Sequence, residues 1–366
     1  MAITIHLSTY ACQTNETLLQ RIQFIYSPLN ELFRSLHVLL NPRHHGTNID
    51  WALSTKALLS REFYKDLYYF RNFFELGTSP LLLCNFQYNS TSIDEEIYNL
   101  ECYLPSLSPD EIINILNKTI SNRENSFIPS LAKGLEWNDY IPHTENDLIY
   151  DLKTNPSAVY SRLFSFIRMY NDAIFQRTWK SKELSSKILS EIENQSLFLH
   201  QHNARVLFDR LQSDRIYCHN NTLIIIKPFE EVIQLKDTDS IILIPSSFIW
   251  PHLFVDQFNK GIAITYDITE SPADLSATAE QLTTIFKALS DPLRLQIVSY
   301  LSKQPSTTQS LAQVFLMSPS SISRHLQILK DSHLLQSTKY KKFVLYKPTP
   351  LLTKLIPRFD RLLKTK

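Results

Sequence analysis

Residues Ser318 to Lys330, SPSSISRHLQILK, carry the most specific chemistry in the chain. Ile322, Leu326 and Leu329 recur at helical spacing, Ser318 suits an N-cap and Pro319 the first helical position, so the stretch predicts a short helix with one buried face. At about 100° per residue the opposite arc holds Ser320, Ser323, Arg324, Gln327 and Asp331, with Ser321, His325 and Lys330 on its flanks. Small serines let a backbone approach phosphates and base edges, and Arg and Gln offer the two-pronged geometries that match guanine and adenine. Such an arc suits the major groove. An apolar stripe alone more often serves ordinary core packing, and His325 stands where it can reach a phosphate or bond within the fold.

The surrounding elements decide between these readings. Upstream, TTIFKALSDPLRLQIVSYL places Leu289, Leu293, Ile297 and Leu301 four apart, with Asp291 and Pro292 suited to a helix start. SKQPSTTQSLAQVFLM then reads as a loop and a short helix packing through Leu311, Ala312 and Phe315. The break before Ser318 makes a helix-turn-helix. Downstream, HLLQSTKY and KFVLYK read as two strands joined through Lys339, Tyr340, Lys341 and Lys342, a wing with a basic tip. The candidate DNA-contacting residues are therefore Ser318, Ser320, Ser321, Ser323, Arg324, His325, Gln327 and Lys330 on the helix and Lys339, Lys341 and Lys342 on the wing.

LSDPLRLQIVSYL, SLAQVFLMSPSSISRHLQILKDSHLL and the closing VLYKP together resemble the ArsR-type winged-helix repressors of bacteria, over roughly 70 residues and with three motifs in order. The resemblance implies a homodimer with two recognition helices in successive major grooves and wings on the flanking backbone. It also implies that the final helix, LLTKLIPRFDRLLK, pairs across the dimer through Leu351, Leu355, Phe359 and Leu362 with the helix around Phe286. Two departures stand out. Family members often have glycine after the recognition helix and in the wing, where this chain has Ser332, His333 and lysines; and neither the family's cysteine pair nor its His/Asp metal set is present.

Charge separates the two ends of the chain. The net charge of +1 over 366 residues conceals an asymmetry: residues 281–366 hold 14 Lys or Arg against three acids, a net of +11, while the other 280 residues hold 23 against 33, a net of −10. The C-terminal segment has the character of a polyanion binder, with steep salt dependence expected. Cys12, Cys84, Cys102 and Cys218 include no close pair, which fits a reducing compartment and no zinc module. With four glycines in all, GxGxxG and GxxxxGK are absent, and no cofactor or metal is expected. MAITIHLSTY lacks a signal-peptide pattern, and the most apolar run, IILIPSSFIWPHLFV, is broken by prolines and serines, so a cytoplasmic chain with no membrane partner is expected.

The rest of the chain predicts a mainly α fold: a large helical N-terminal domain carrying a small, largely antiparallel sheet at 215–267, followed by the winged helix. Domains are expected at 1–267 (sensing or dimerisation) and 280–366, with a linker at 268–279 and a dimerisation helix at 350–364. ITIHLST reads as a first strand; TLLQRIQFIYSPLNELFRSLHVLLN reads as two helices divided at Ser27-Pro28. His44 and His45 read as a solvated turn, with adjacent histidines projecting apart. Asp50 to Phe74 is helical and rich in aromatics, either a core face or the wall of an apolar ligand pocket. His200, His202, Cys218 and His219 form the best metal candidate, although histidines two apart on a helix face opposite sides. FIYSPLNELFRSLHVLLNPRHH and ILIPSSFIWPHLF with AITYDI are similar to the large N-terminal region of long ArsR-type regulators from Gram-positive bacteria; that similarity implies architecture and no ligand.

The sequence thus favours a homodimeric, sequence-specific DNA-binding regulator of repressor type, with double-stranded operator DNA as partner and an unidentified small-molecule effector at the N-terminal domain. A front-domain enzyme is the alternative, but no nucleophile–base pair or metal motif supports one; Ser246-Ser247 lacks the G-x-S-x-G context. A winged helix used as a protein-interaction scaffold is the other, against which the lysine-rich tip argues.

Overall fold

The structure, a computed structural model, describes residues 2–7, 18–40, 42, 45–74, 92–124, 145–202, 204–211, 215–219, 221–227, 229–250, 252–258, 260–268, 279–302, 304–340, 343–349 and 352. The chain divides into two compact units: residues 1–40, 58–128 and 140–268 form the first, and 41–57, 129–139 and 269–366 the second.

The first unit opens with β1 (Ala2–His6) and β2 (Ile22–Phe24), followed by α1 (Pro28–Leu40). After α2 (Ile49–Lys56), which belongs to the second unit, come α3 (Arg61–Tyr69), α4 (Arg71–Phe74), α5 (Ile93–Tyr103), α6 (Pro109–Glu124) and α7 (Glu145–Thr154). α8 (Pro156–Tyr170) runs through a π-turn into α9 (Gln176–Ser181), and α10 (Leu184–Gln201) and α11 (Ala204–Leu211) complete the helices. Six strands follow: β3 (Ile216–His219), β4 (Thr222–Ile226), β5 (Glu231–Gln234), β6 (Ser240–Ser246), β7 (Phe254–Phe258) and β8 (Gly261–Asp267).

These strands overturn the expected mainly α fold with one small antiparallel sheet. Among the described residues the unit holds two four-stranded mixed sheets, ordered β3-β4-β1-β5 and β2-β6-β8-β7. In the first, β1 runs antiparallel to β4 and parallel to β5; in the second, β2, β6 and β8 are parallel and only β7 is antiparallel. The reason lies in burial. β6 and β8 are covered on both faces, Ile241, Leu243, Ile262, Ile264 and Tyr266 entering one core with α10 and α11, and Ile242, Ile244 and Ala263 entering another with Ile25. Strands covered on both sides read as continuous apolar runs, the signature of parallel pairing. Gly261 is obligatory here: its φ is +142°, and a Cβ would sit 1.9 Å from the Ser240 carbonyl oxygen.

α1 is buried along almost its whole length, including Asn30, Glu31, Arg34, Ser35 and His37. Glu31 accepts from the Ser247 amide at 2.5 Å and Glu96 from the Leu29 amide at 2.7 Å, so buried carboxylates serve the chain turn after β6 and the first turn of α1. Burial pushes both carboxyls up to about 7.

The second unit contains α12 (Ala279–Leu289), α13 (Pro292–Leu301), β9 (Ser306–Thr307), α14 (Thr308–Val314), α15 (Pro319–Asp331), β10 (Leu335–Tyr340) and β11 (Phe343–Pro348). Its sheet is ordered β10-β11-β9, and its core joins Ile285, Ile297, Leu301, Leu311, Ile322, Leu326, Leu329 and Leu352. The unit is discontinuous: the turn and helix around α2 pack on β11 through Ile49 and Leu345, with Leu53 and Phe343 beside them.

Candidate nucleic-acid interface

Three side-chain caps set the helices of the second unit. Asp291 accepts from the Arg294 amide, Thr307 from the Ser310 amide and Ser318 from the Ser321 amide, each at the start of its helix. Such caps satisfy amides that a helix N-terminus leaves unbonded, worth about 1 kcal/mol each. The Arg294 guanidinium also donates to the carbonyls of Ala288 and Lys287, closing the end of α12. The bond from its own amide and the nearby guanidinium hold the Asp291 carboxyl below the usual carboxylate range.

Between α14 and α15 the chain turns without glycine. Leu316 takes φ 52° and is 93% exposed, while the Met317 amide returns to the Ala312 carbonyl at 2.9 Å. After α15 the same device recurs: His333 takes φ 57° and the Leu334 amide bonds the Leu329 carbonyl at 2.9 Å. Both are left-handed helix ends where glycine is the usual residue. α15 is thereby fixed at both ends.

On α15, Ile322, Leu326 and Leu329 are fully buried, and Ser318, Ser320, Ser323, Arg324, Gln327 and Lys330 are exposed. Ser321 and His325 are half-buried. Gln327 donates to the Asp331 carboxylate at 2.7 Å, and Ser318 and Ser320 share a hydroxyl contact of 3.0 Å. His325 lies near enough to Asp291 to lower that acid's pKa. Lys339 is exposed at the end of β10, and pairing of Tyr340 with Phe343 leaves Lys341 and Lys342, outside the described residues, as the two-residue connection. Of the expected pairing residues, Phe286 on α12 is 54% exposed; Leu351, Leu355, Phe359 and Leu362 lie outside the described residues.

The whole chain can now be placed among known proteins. Residues 9–271 match the family of unknown function DUF5937, and residues 291–337 match the bacterial regulatory protein, arsR family. This chain belongs to DUF5937 and carries an ArsR-family winged helix. Over 75 residues, 20% of this chain and 76% of the relative, it is 37% identical to the HTH-type transcriptional regulator YgaV of Escherichia coli K12. Over 65 residues, 18% of this chain and 72% of the relative, it is 35% identical to the transcriptional repressor SdpR of Bacillus subtilis 168. Among solved structures, reduced HlyU from Vibrio cholerae N16961 aligns with 24% of this chain and 93% of its own, at 23% identity and a TM-score of 0.22.

The ArsR-type wing carries a feature that sequence reasoning missed. Asp50 on α2 accepts from the Lys347 ammonium at 2.7 Å and from the Thr338 hydroxyl at 2.6 Å, tying α2 to both strands of the wing. Lys347 is 3% exposed, so this cation is enclosed beside its partner. No local pattern signals a pairing nearly 300 residues apart in sequence.

Other candidates resolve differently. His45, expected in a solvated turn, is fully buried; its amide bonds the Pro42 carbonyl at 3.1 Å, and His44 lies outside the described residues. His202 stacks on Phe198, centroids 4.0 Å apart, and Cys218 donates its amide to Asp209. The aromatic stretch from Asp50 to Phe74 forms three helices rather than one, and Phe63, Phe70, Phe73 and Phe74 are buried with Phe166 and Tyr170 as packing. Among the described residues no helix is long and apolar enough to cross a membrane.

Proposed function

We propose that the chain is a sequence-specific transcriptional repressor that binds operator DNA as a homodimer, and that it is not an enzyme. Residues 280–366 are the DNA-binding domain, with 268–279 as linker and 350–364 as a pairing helix; residues 1–267 sense an effector or hold the dimer. The observation that carries the reading is the division of α15: a wholly buried apolar stripe opposite exposed Ser320, Ser323, Arg324, Gln327 and Lys330. A helix so fixed presents Arg324 and Gln327 for base edges and Lys330 for a phosphate. The half-exposed Phe286 supports the dimer, since an aromatic ring on the outer face of α12 gains by being covered. The repressor relative supports the direction of control, and the regulator relatives support the absence of catalysis.

α2 gives this regulator a route between its parts. Its segment is joined in sequence to the first unit at both ends, through α1 and α3, while its side chains grip the wing. A change in the first unit that pulls on this strap would alter the wing's support, and with it the hold on flanking DNA.

Gel-shift titration of the purified chain with DNA from upstream of its own gene tests the reading. Selective binding that Arg324→Ala weakens supports it; equal binding to a scrambled duplex contradicts it.

A further inference from the structure

The interior of the first unit contains a layer of buried polar side chains. On α1, Asn30, Arg34 and His37 fall at helical spacing on one face, and all three are buried, Arg34 completely. The Arg34 guanidinium lies 4.9 Å from the centre of the Phe254 ring on β7. The His37 and His252 rings flank the same phenyl group at 5.6 and 5.4 Å. The Lys227 ammonium comes within 5.9 Å of the same ring and donates to the Leu253 carbonyl. Phe254 stands opposite Thr265 in the β7–β8 ladder, so the two side chains share a face of the sheet.

Among the described residues, two groups in this layer lack any hydrogen bond. The Asn30 amide, 0% exposed, has neither donor nor acceptor satisfied, and the buried Thr265 hydroxyl has no partner. An unmet buried polar group costs about 1–3 kcal/mol, and proteins keep few of them. Thr265 lies near the carboxyl end of the parallel strand β8, beside the antiparallel β7, and Asn30 lies one turn before Arg34 on α1. The carboxyl ends of parallel strands, facing a helix that follows one of them, are where open α/β sheets take ligands.

We propose that this layer is a binding site for a small organic carboxylate, held by Arg34, the Asn30 amide and the Thr265 hydroxyl with its hydrocarbon part against Phe254. The donors fit the chemistry: guanidinium and carboxamide N–H groups and a hydroxyl all donate to carboxylate oxygens. The charges around the layer are Arg34 and Lys227 against Glu31, which is engaged by the Ser247 amide and whose carboxyl burial raises to about 7, Asp267, which acts on Glu31, and Asp256 and Glu231, which act on Lys227. α1 leads directly into the strap that grips the wing, so a ligand on α1 is one connection from the DNA-binding unit. This inference deepens the effector role proposed above, but its test reads binding alone.

The test is isothermal titration of the full chain with benzoate, butyrate and inorganic phosphate at constant ionic strength, with chloride as control. Saturable binding of a carboxylate, weakened about tenfold or more by Asn30→Ala and by Arg34→Met, is expected from the loss of a charge-assisted bond. If Arg34→Met does not fold, Asn30→Ala and Thr265→Val carry the comparison. Absence of saturable carboxylate binding, binding that Asn30→Ala and Thr265→Val both leave within twofold, or tight Zn(II) binding in its place overturns the proposal. If carboxylate binds and the chain still fails to select its operator, the site stands and the regulatory reading falls.

Discussion

Replacing Asp50 with alanine isolates the contact between the strap and the wing. The change removes acceptors 2.7 Å from the Lys347 ammonium and 2.6 Å from the Thr338 hydroxyl. An exposed ion pair is worth 0–1 kcal/mol, and deleting one partner of a fully buried pair costs about 3–5 kcal/mol. This pair is intermediate: Lys347 is 3% exposed and Asp50 57%, so water screens one end and leaves the other enclosed. About 2 kcal/mol follows, which for a unit of about 100 residues lowers Tm by roughly 10 °C. Differential scanning calorimetry of the full chain, with tryptophan-independent circular dichroism to follow the wing-bearing unit, measures the shift. Lys347→Met should be close to neutral, because methionine can occupy the enclosed volume without a charge to satisfy, and the double variant should recover most of the loss. A coupling energy below about 0.3 kcal/mol would refute the reasoning and return α2 to the first unit.

Three further outcomes are expected. Leu316→Gly and His333→Gly should each stabilise the second unit by about 0.5 kcal/mol: a left-handed non-glycine residue costs about 1–2 kcal/mol, part of which glycine's unfolded freedom takes back. Urea midpoints report this, and a loss of stability in both would contradict the turn assignment. Arg324→Ala should weaken operator binding by about tenfold to a hundredfold in gel shifts while leaving circular dichroism and Tm unchanged, since the side chain is exposed. The third outcome concerns pH. Burial raises the Glu31 and Glu96 carboxyls to about 7, so their contribution is fully present below the ordinary value near 4.5 and is lost as the pH rises through 7. The first unit should therefore melt at a higher temperature at pH 5.5 than at pH 7.5, and Glu31→Gln should flatten that dependence; a Tm that rises with pH over this window would rule out the assignment.

What could be seen in the sequence follows from how local the determinants are. The α15 stripe, its Ser318 cap and Pro319 lie within four residues of one another or repeat at fixed spacing, so the helix and its exposed arc were legible. The paired wing strands were legible for the same reason: a two-residue lysine connection joins two β-rich runs. The sheets of the first unit were not. β2 is three residues long and sits within LLQRIQFIY, whose apolar spacing also suits a helix, and its partner β6 lies more than 200 residues away. β1 was legible as a strand but its pairing with β4 and β5 was not, and without β2 the strands after Arg215 read as a small antiparallel set rather than halves of two mixed sheets. Asp50 and Lys347 carry no pattern at all, because their meaning exists only once α2 meets the wing. Asn30 and Arg34 were hidden in a different way: a helix buried on every side obscures the amphipathic signal that would mark polar residues as exceptional.

The central claim is that the division of α15 makes a sequence-selective DNA reader. Fluorescence anisotropy of the full chain with its own upstream duplex and a scrambled one, across a salt series from about 50 to 300 mM, tests it most directly. The account predicts tighter binding to the upstream duplex by at least about a thousandfold, with affinity falling steeply as salt rises. Equal affinities for the two duplexes, with or without a bound carboxylate, would contradict it.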